Sequence, residues 1–320
     1  MRQIRPLLMT LVLGIVSPLA FAYPDKPIRI VVPFVAGGGT DITARLIGNE
    51  LSKAFKRAVI VENRPGADTI VAMQIIARAE PDGHTIGMVT NAHSLNQAIK
   101  RSMPFDPVKD FAGVSMLVTS PFVLVANPSL KVRSVADLVA KAKREPGAIF
   151  YASSGANSVH FLATEWLSAL AEIKMVHVPY NGMAPALADL VAGHVGVMFT
   201  GVSSGMPFVR RNQLDALAVA PAQGVVTEPN IPSVARSGYP GFDFNSWFGF
   251  VVPAGTPTAI LDRLNREIRN ILAKPEVSKR LIKAGLFPVI STRPEFDAFM
   301  ARDVQMYVEI LEKTKIKIAQ

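Results

Sequence analysis

The sequence has 320 residues, 49% of them apolar and 18% charged, the balance of a globular chain with room for about two domains rather than of a disordered one. Its formal charge of +9 is spread along the chain with no block of like charges, so it carries no nucleic-acid footprint. The absence of cysteine removes disulfides, thiolate nucleophiles and thiolate metal ligands from consideration.

Residues 1–22 read as a secretory signal peptide. Arg2 and Arg5 precede an apolar run from Leu7 to Leu19, and Ala20-Phe21-Ala22 forms a small-residue cleavage site before Tyr23. The run is interrupted by Thr10, Gly14, Ser17 and Pro18 and is shorter than the about 20 residues a membrane span requires. The sequence therefore predicts export to the periplasm. Without Arg2 and Arg5 the mature chain keeps 32 basic against 25 acidic side chains, a diffuse excess of +7 that favours anions weakly.

The mature chain opens with a nearly continuous β-branched run, Ile28 to Phe34, suited to a strand buried on both faces. Gly37-Gly38-Gly39-Thr40-Asp41 follows, and then Ile42, Leu46, Ile47 and Leu51 recur at helical spacing. Strands are predicted at 58–61 and 85–90 with a helix at 71–79 between them. Two further strands are predicted near 112–117 and 122–126. Ser134-Val135-Ala136-Asp137 starts a helix that ends before Pro146-Gly147. Strand 149–152, helix 158–171, strand 175–178, helix 185–192 and strands 195–199 and 214–220 continue the alternation. Pro257 opens a helix whose apolar face is Ile260, Leu261, Leu264, Ile268, Ile271 and Leu272, and a last helix runs from about Pro294 with Phe296, Phe299, Met300 and Tyr307 on one side. Such alternation predicts an α/β protein with largely parallel sheets. The length divides it into two small doubly wound lobes, with a ligand cleft at the carboxyl ends of their strands.

The glycine turn sits between a buried strand and a helix. Glycine lets backbone approach a ligand, and the helix start offers unpaired N–H groups and the positive end of its dipole, a combination that suits an anion. Thr40 or Asp41 can cap that helix, so Asp41 reads as structural rather than catalytic. The spacing fits neither the dinucleotide fingerprint nor the P-loop, and a turn with no ligand is the plain alternative. Tyr151 to Ser158 is a second polar turn between strand and helix, with Ser158 as its N-cap. Two such turns, one in each half, form a clamp. Gly201-Val202-Ser203-Ser204-Gly205 matches the nucleophile elbow of α/β-hydrolases, which makes an exported serine hydrolase using Ser203 the alternative function. All five histidines, His84, His93, His160, His177 and His194, precede Ser203, against the hydrolase order of serine, acid, histidine. They show no metal-ligand spacing. His93 and His160 lie just beyond strand ends and are the histidines placed to face a cleft. Trp166 and Trp247 read as packing or hinge residues.

Several segments together resemble a known family. They include Tyr23-Pro24-Asp25-Lys26-Pro27-Ile28, Val32-Pro33-Phe34-Val35-Ala36-Gly37-Gly38-Gly39-Thr40-Asp41 and Glu62-Asn63-Arg64-Pro65-Gly66-Ala67. Pro81-Asp82-Gly83, Tyr151-Ala152-Ser153-Ser154-Gly155, Val176-His177-Val178-Pro179-Tyr180, Ser246-Trp247-Phe248-Gly249 and Pro253-Ala254-Gly255-Thr256-Pro257 follow in the same order. The mature chain resembles the Bug-type extracytoplasmic solute receptors, the substrate-binding components of tripartite tricarboxylate transporters. The resemblance implies a two-lobed periplasmic binding protein of the type with two crossover strands, near 122–126 and 247–251. It implies a discontinuous first domain, residues 23–123 and 247–320, and a second domain, residues 124–246. It further implies capture of a small carboxylate for an inner-membrane transporter or a sensor, without catalysis, cofactor or metal, by a monomer.

The ligand-binding positions implied are Phe34, Ala36, Gly37, Gly38, Gly39, Thr40 and Asp41 on the first loop, and Thr90, Asn91 and His93 on a turn lining the same cleft. From the other lobe come Ser153, Ser154, Gly155 and Ser158, with Tyr180 and Thr200 beside them. The chain departs from the family pattern at Asp68-Thr69-Ile70, Asn181, Gly196, Phe161 and Thr200. The last stands where an acidic residue is usual, which favours a plain or aromatic carboxylate over an amino acid.

Overall fold

The opening apolar run forms strand β1 (Ile28–Val32), and the helical spacing after the glycines forms α1 (Gly39–Phe55). These are the first elements of a computed structural model that describes residues 23–316 except 100, 101 and 157; the expected signal peptide lies outside the described residues. The chain continues through β2 (Val59–Asn63), α2 (Ile70–Ala77), β3 (Thr85–Thr90) and α3 (Asn91–Ala98) to the long strand β4 (Phe111–Ala126). Next come α4 (Val135–Arg144), β5 (Phe150–Ser153), α5 (Val159–Ala171), β6 (Val176–Pro179), α6 (Met183–Ala192), β7 (Val197–Gly201), α7 (Val202–Val209) and β8 (Asp215–Val219). Strand β9 (Asn245–Pro253) leads into α8 (Thr258–Leu272), α9 (Pro275–Lys283), the short β10 (Phe287–Pro288) and α10 (Arg293–Thr314).

The strands run in the order β2-β1-β3-β9-β4-β7-β5-β6, with β10 and β8 also paired to β4. Pairing is parallel for β1 with β2 and β3, and for β5 with β6 and β7, as the strand–helix alternation predicts. The crossover strands add antiparallel neighbours. β9 lies antiparallel to β3 and β4, and β4 lies antiparallel to β7 and β8, so both sheets are mixed. β4 belongs to both: residues up to Pro121 pair with β9, and from Phe122 onward the partner is β7. Proline has no N–H for a ladder bond, and the change of partner falls at Pro121.

Each lobe has its own apolar core. In the first, Ile30, Ile47, Leu51, Phe250, Leu264 and Ile268 pack together, and the expected face of α8 supplies much of it. In the second, Leu124, Tyr151, Leu167, Phe199 and Phe242 form the centre. Helix α10 serves both. Near its start Phe296 packs edge-on to Trp247 of β9 with ring centroids 5.8 Å apart, whereas further on Tyr307 and Ile310 are buried in the core of the second lobe. The C-terminal helix is therefore a third span between the lobes.

The structure differs from the sequence reading in three places. The strands expected at 112–117 and 122–126 are one strand, because Thr119, Ser120 and Pro121 keep register with Trp247, Ser246 and Asn245 although they read as a breaker. The turn expected at residues 90–93 is the N-cap and first turn of α3, where the Thr90 hydroxyl accepts the Ala92 N–H at 3.3 Å. Helix α9 lies where the sequence gives no separate element, and α7 forms although Pro207 lies inside it. Caps expected at Ser134 and Ser158 are present, each accepting the N–H three residues on.

The contact between β9 and α10 is close enough to test. A Cβ on Gly249 would lie 2.2 Å from Cζ of Phe296, a rigid ring with no free end to move. Overpacking of this kind costs about 1–3 kcal/mol, so Gly249→Ala is expected to lower the urea midpoint with the slope of the transition unchanged.

Candidate functional site

Between the lobes lies a cleft of about 440 Å³. Its walls contain the first turns of helices α1, α3, α5 and α7, each following directly on a strand or strand-end loop. The first N–H groups of a helix have no partner within it and carry the positive end of its dipole. Among the described residues, no lysine, arginine, aspartate or glutamate lines this cleft. Its polarity comes from backbone, hydroxyls, the amides of Asn91 and Asn96 and the imidazole of His160, and its apolar surface from Phe34, Phe122, Phe248, Leu95, Leu286 and Met183.

The first loop divides into residues that face the cleft and residues that hold the loop. Phe34, Gly38, Gly39 and Thr40 line it. Gly38 is the N-cap of α1 and has no side chain to satisfy the helix, so its N–H and those of Gly39 and Thr40 find no acceptor among the described residues. Asp41 turns the other way. It is buried, and its carboxylate accepts the Gly37 N–H, the Arg45 Nε–H and the Asn63 amide, all at 3.0 Å. Burial pushes the Asp41 carboxyl up, but the bonds from Arg45, Gly37 and Asn63 outweigh it and hold the group below its ordinary value. Asp41 thus fixes Gly37, whose φ of 90° suits glycine, and neither Ala36, Gly37 nor Asp41 reaches the cleft wall.

Thr90 and Asn91 line the cleft, joined by Ala92, Leu95 and Asn96 on the same face of α3. His93 points to the opposite face. It donates from Nε2 to the Pro107 carbonyl at 2.8 Å and stands edge-on to Phe111, and burial lowers its pKa. There it lines a second cavity of about 510 Å³ with Gln97, Asp297 and Met300.

In the second lobe Ser154 and Ser158 face the cleft, while Ser153 and Gly155 build the loop beneath them. The Ser153 hydroxyl is buried between the Gly155 carbonyl at 2.8 Å and His177 Nε2 at 2.7 Å. Ser158 donates to the Gly155 carbonyl and accepts the Phe161 N–H. Tyr180 lies outside the cleft wall; its hydroxyl donates to Asp189 at 2.7 Å, and burial together with that carboxylate pushes its pKa up to about 12. Thr200 is fully buried below the cleft floor, with its hydroxyl toward Met183 Sδ.

Several cleft residues lie outside the positions expected from the sequence. Ser120 and Phe122 on β4, and Ser246 and Phe248 on β9, are two apart on strands that cross between the lobes, so each pair shares a face. That period was available in the sequence. Ser203 and Ser204 also line the cleft, at the start of α7. Ser203 makes no hydrogen bond to a histidine among the described residues, and a Cβ on Gly285 would lie 2.4 Å from its Cβ. The one histidine in the cleft wall, His160, pairs instead with Ser154, Nδ1 to Oγ 2.9 Å, and tilts over Phe122.

Burial pushes the His160 pKa down to about 4, so the imidazole is neutral near pH 7. A folded value below the unfolded one gives stability that is full above about pH 6.5 and is lost as pH falls toward 4, roughly 3 kcal/mol in all. His160→Gln is expected to flatten the fall in chemical stability between pH 6.5 and 4, measured against the parent protein.

A family model described as tripartite tricarboxylate transporter family receptor matches residues 43–316. The protein BugT of Bordetella pertussis is 32% identical over 308 residues, covering 95% of this chain and 94% of that one. Among solved structures, Rpa4515 of R. palustris with adipate is 30% identical with a TM-score of 0.84, covering 92% of this chain and 99% of that one. MatC from Rhodopseudomonas palustris with bound malate is 27% identical with a TM-score of 0.79, covering 90% and 100%.

Proposed function

The chain belongs to the tripartite tricarboxylate transporter receptor family, and from that premise we propose that its cleft captures a small organic acid, bound through a carboxylate, and delivers it to an inner-membrane transporter or a sensor. The observation that carries this reading is the convergence of the first turns of α1, α3, α5 and α7 on a cleft with no charged side chain among the described residues. Such a site offers many oriented donors and no fixed counter-ion, which suits an anion. Adipate and malate in the solved relatives support the same class.

The carboxylate is assigned to the N–H groups of Gly38, Gly39 and Thr40, with Ser154 and Ser158 closing from the second lobe. Each hydrogen bond to a charged group contributes about 1.5–3 kcal/mol, and four or five imperfect ones less ordering costs reach about −8 kcal/mol, a micromolar affinity. The rings of Phe34, Phe122 and Phe248 favour an apolar or aromatic body. An amino acid is disfavoured because its ammonium group would meet no acidic residue in the wall, and Thr200 supplies none. The protein acts without catalysis, as a monomer, after export and cleavage between Ala22 and Tyr23. Its first domain takes residues 23–123 and 247–320, and its second takes residues 124–246.

The test is thermal unfolding of the mature protein with citrate, succinate, malate, adipate, glutamate, nicotinate and benzoate. An acid at 100 times its Kd adds about 2.7 kcal/mol and raises Tm measurably, and its methyl ester is expected to leave Tm unchanged. Stabilisation by neutral solutes with none by acids would overturn the reading. Ser154→Ala is expected to weaken the best acid by roughly tenfold in calorimetry, the loss of one charge-assisted hydrogen bond.

A further inference from the structure

One buried carboxylate stands directly behind the cleft wall and has no part in the frame described above. Asp303, in the middle of α10, is 7% exposed. It accepts the Trp247 Nε1–H at 2.8 Å, and the Ser94 hydroxyl faces it from α3. Both contacts lead to the cleft. Trp247 lies between Ser246 and Phe248, which line it, and Ser94 is beside Leu95 and one turn from Asn91, which do too. Ser246 and Asn91 are themselves joined, Oγ to Oδ1 at 3.2 Å.

Among the described residues no cation is paired with this group. β4 and β9 bring no titratable residue. α3 brings His93, whose ring is turned to Pro107 and kept neutral by burial. α5 brings Glu165, paired with the Tyr151 hydroxyl, and His160, on Ser154. α10 itself adds the exposed Arg302 and the buried Tyr307, whose hydroxyl is pushed far up by burial. A carboxylate desolvated among neutral donors holds its charge poorly.

We propose that Asp303 is a positioning residue that couples capture of the anion to uptake of a proton, an inference that rests on the carboxylate reading of the cleft. An anion held in the cleft, one wall of which is the first turn of α3, and a charged Asp303 behind that turn repel each other through the low-dielectric wall. When the ligand enters, one proton passes from solvent to the Asp303 carboxyl, which then donates to Ser94 Oγ while still accepting from Trp247. Burial raises the Asp303 pKa to about 6, so the exchange falls within an ordinary external pH range. The sign follows. A raised folded value means the neutral form favours the native state at low pH and that this advantage is lost as pH rises through about 6. Ligand affinity follows the same direction, stronger below pH 6 and weaker above. Two unit charges ~10 Å apart at an effective dielectric of about 20 change Kd by on the order of tenfold.

Two measurements test this on the mature protein. Indole 15N–1H spectra report Trp247 beside Trp166, which Trp166→Phe assigns. Calorimetry from pH 5.5 to 8, with the panel acid that raises Tm most, gives Kd for the parent protein and for Asp303→Asn; their ratio cancels the acid's own ionisation. The Trp247 signal is expected to titrate near pH 6, at higher pH with the acid bound, and not at all in Asp303→Asn. That variant keeps the hydrogen bond from Trp247, melts no lower than the parent at pH 7.5, and binds with a ratio that changes about tenfold across the range. Ser94→Ala, which removes the hydroxyl facing the charged form, moves the midpoint upward. A Trp247 signal that stays fixed from pH 5.5 to 8 overturns the inference whatever the ligand does. So does a constant Kd ratio with the acid bound normally. If no acid binds, the reading of the cleft fails and this inference falls with it.

Discussion

An anion held without a cation must be met by dipoles that already point at it, because dipoles free to turn would do no better than water. That requirement reaches well beyond the cleft. It needs several helices to begin at one place, and parallel strands achieve this, since every strand–helix step returns the chain to the same edge of the sheet. β1, β3 and β7 supply three of the four first turns in this way, and β5 supplies the fourth through the Ser153–Ser158 loop. The antiparallel crossover strands are the exception. They contribute faces rather than helix starts, and Ser120, Phe122, Ser246 and Phe248 form the floor between the converging turns.

A division of labour follows within each loop. The residues with the strongest side-chain chemistry are largely consumed in holding the backbone still. Asp41 ties Gly37 to Arg45 and Asn63, Ser153 ties Gly155 to His177, and Tyr180 ties Asp189. The groups left facing the cleft are glycine N–H groups and small hydroxyls. A carboxylate ligand would be repelled by Asp41 if that side chain faced it; turned inward, the same charge fixes the donors that attract it.

Much of this was legible in the sequence. Residues 37–41 announce a glycine turn between strand and helix, and the alternation of apolar runs locates nearly every strand of the parallel halves. Direction within an element was harder to read. His93 follows the end of β3, so it stands where cleft residues stand, yet in a helix it is 200° round from Asn91, while Leu95 is only 40° away. Reading residues 90–93 as a turn hid that angle, because asparagine, histidine and serine are weak helix formers and the N-cap at Thr90 decides the matter. Thr200 was misplaced for a related reason: at the end of β7 alternation puts one residue into the cleft and the next under it, and the strand ends two positions later than expected. Strand β4 could not be read as continuous across Pro121, since its integrity depends on β9, more than a hundred residues away.

The double allegiance of α10 also bears on how the two lobes share their stability. The core around Leu124 and Phe199 includes Tyr307 and Ile310, so the second lobe is not fully packed without a helix whose start is seated on β9. Loosening of α10 opens a gap in that core and removes a span between the lobes in the same step, which makes the helix a thermodynamic link between two separately wound sheets.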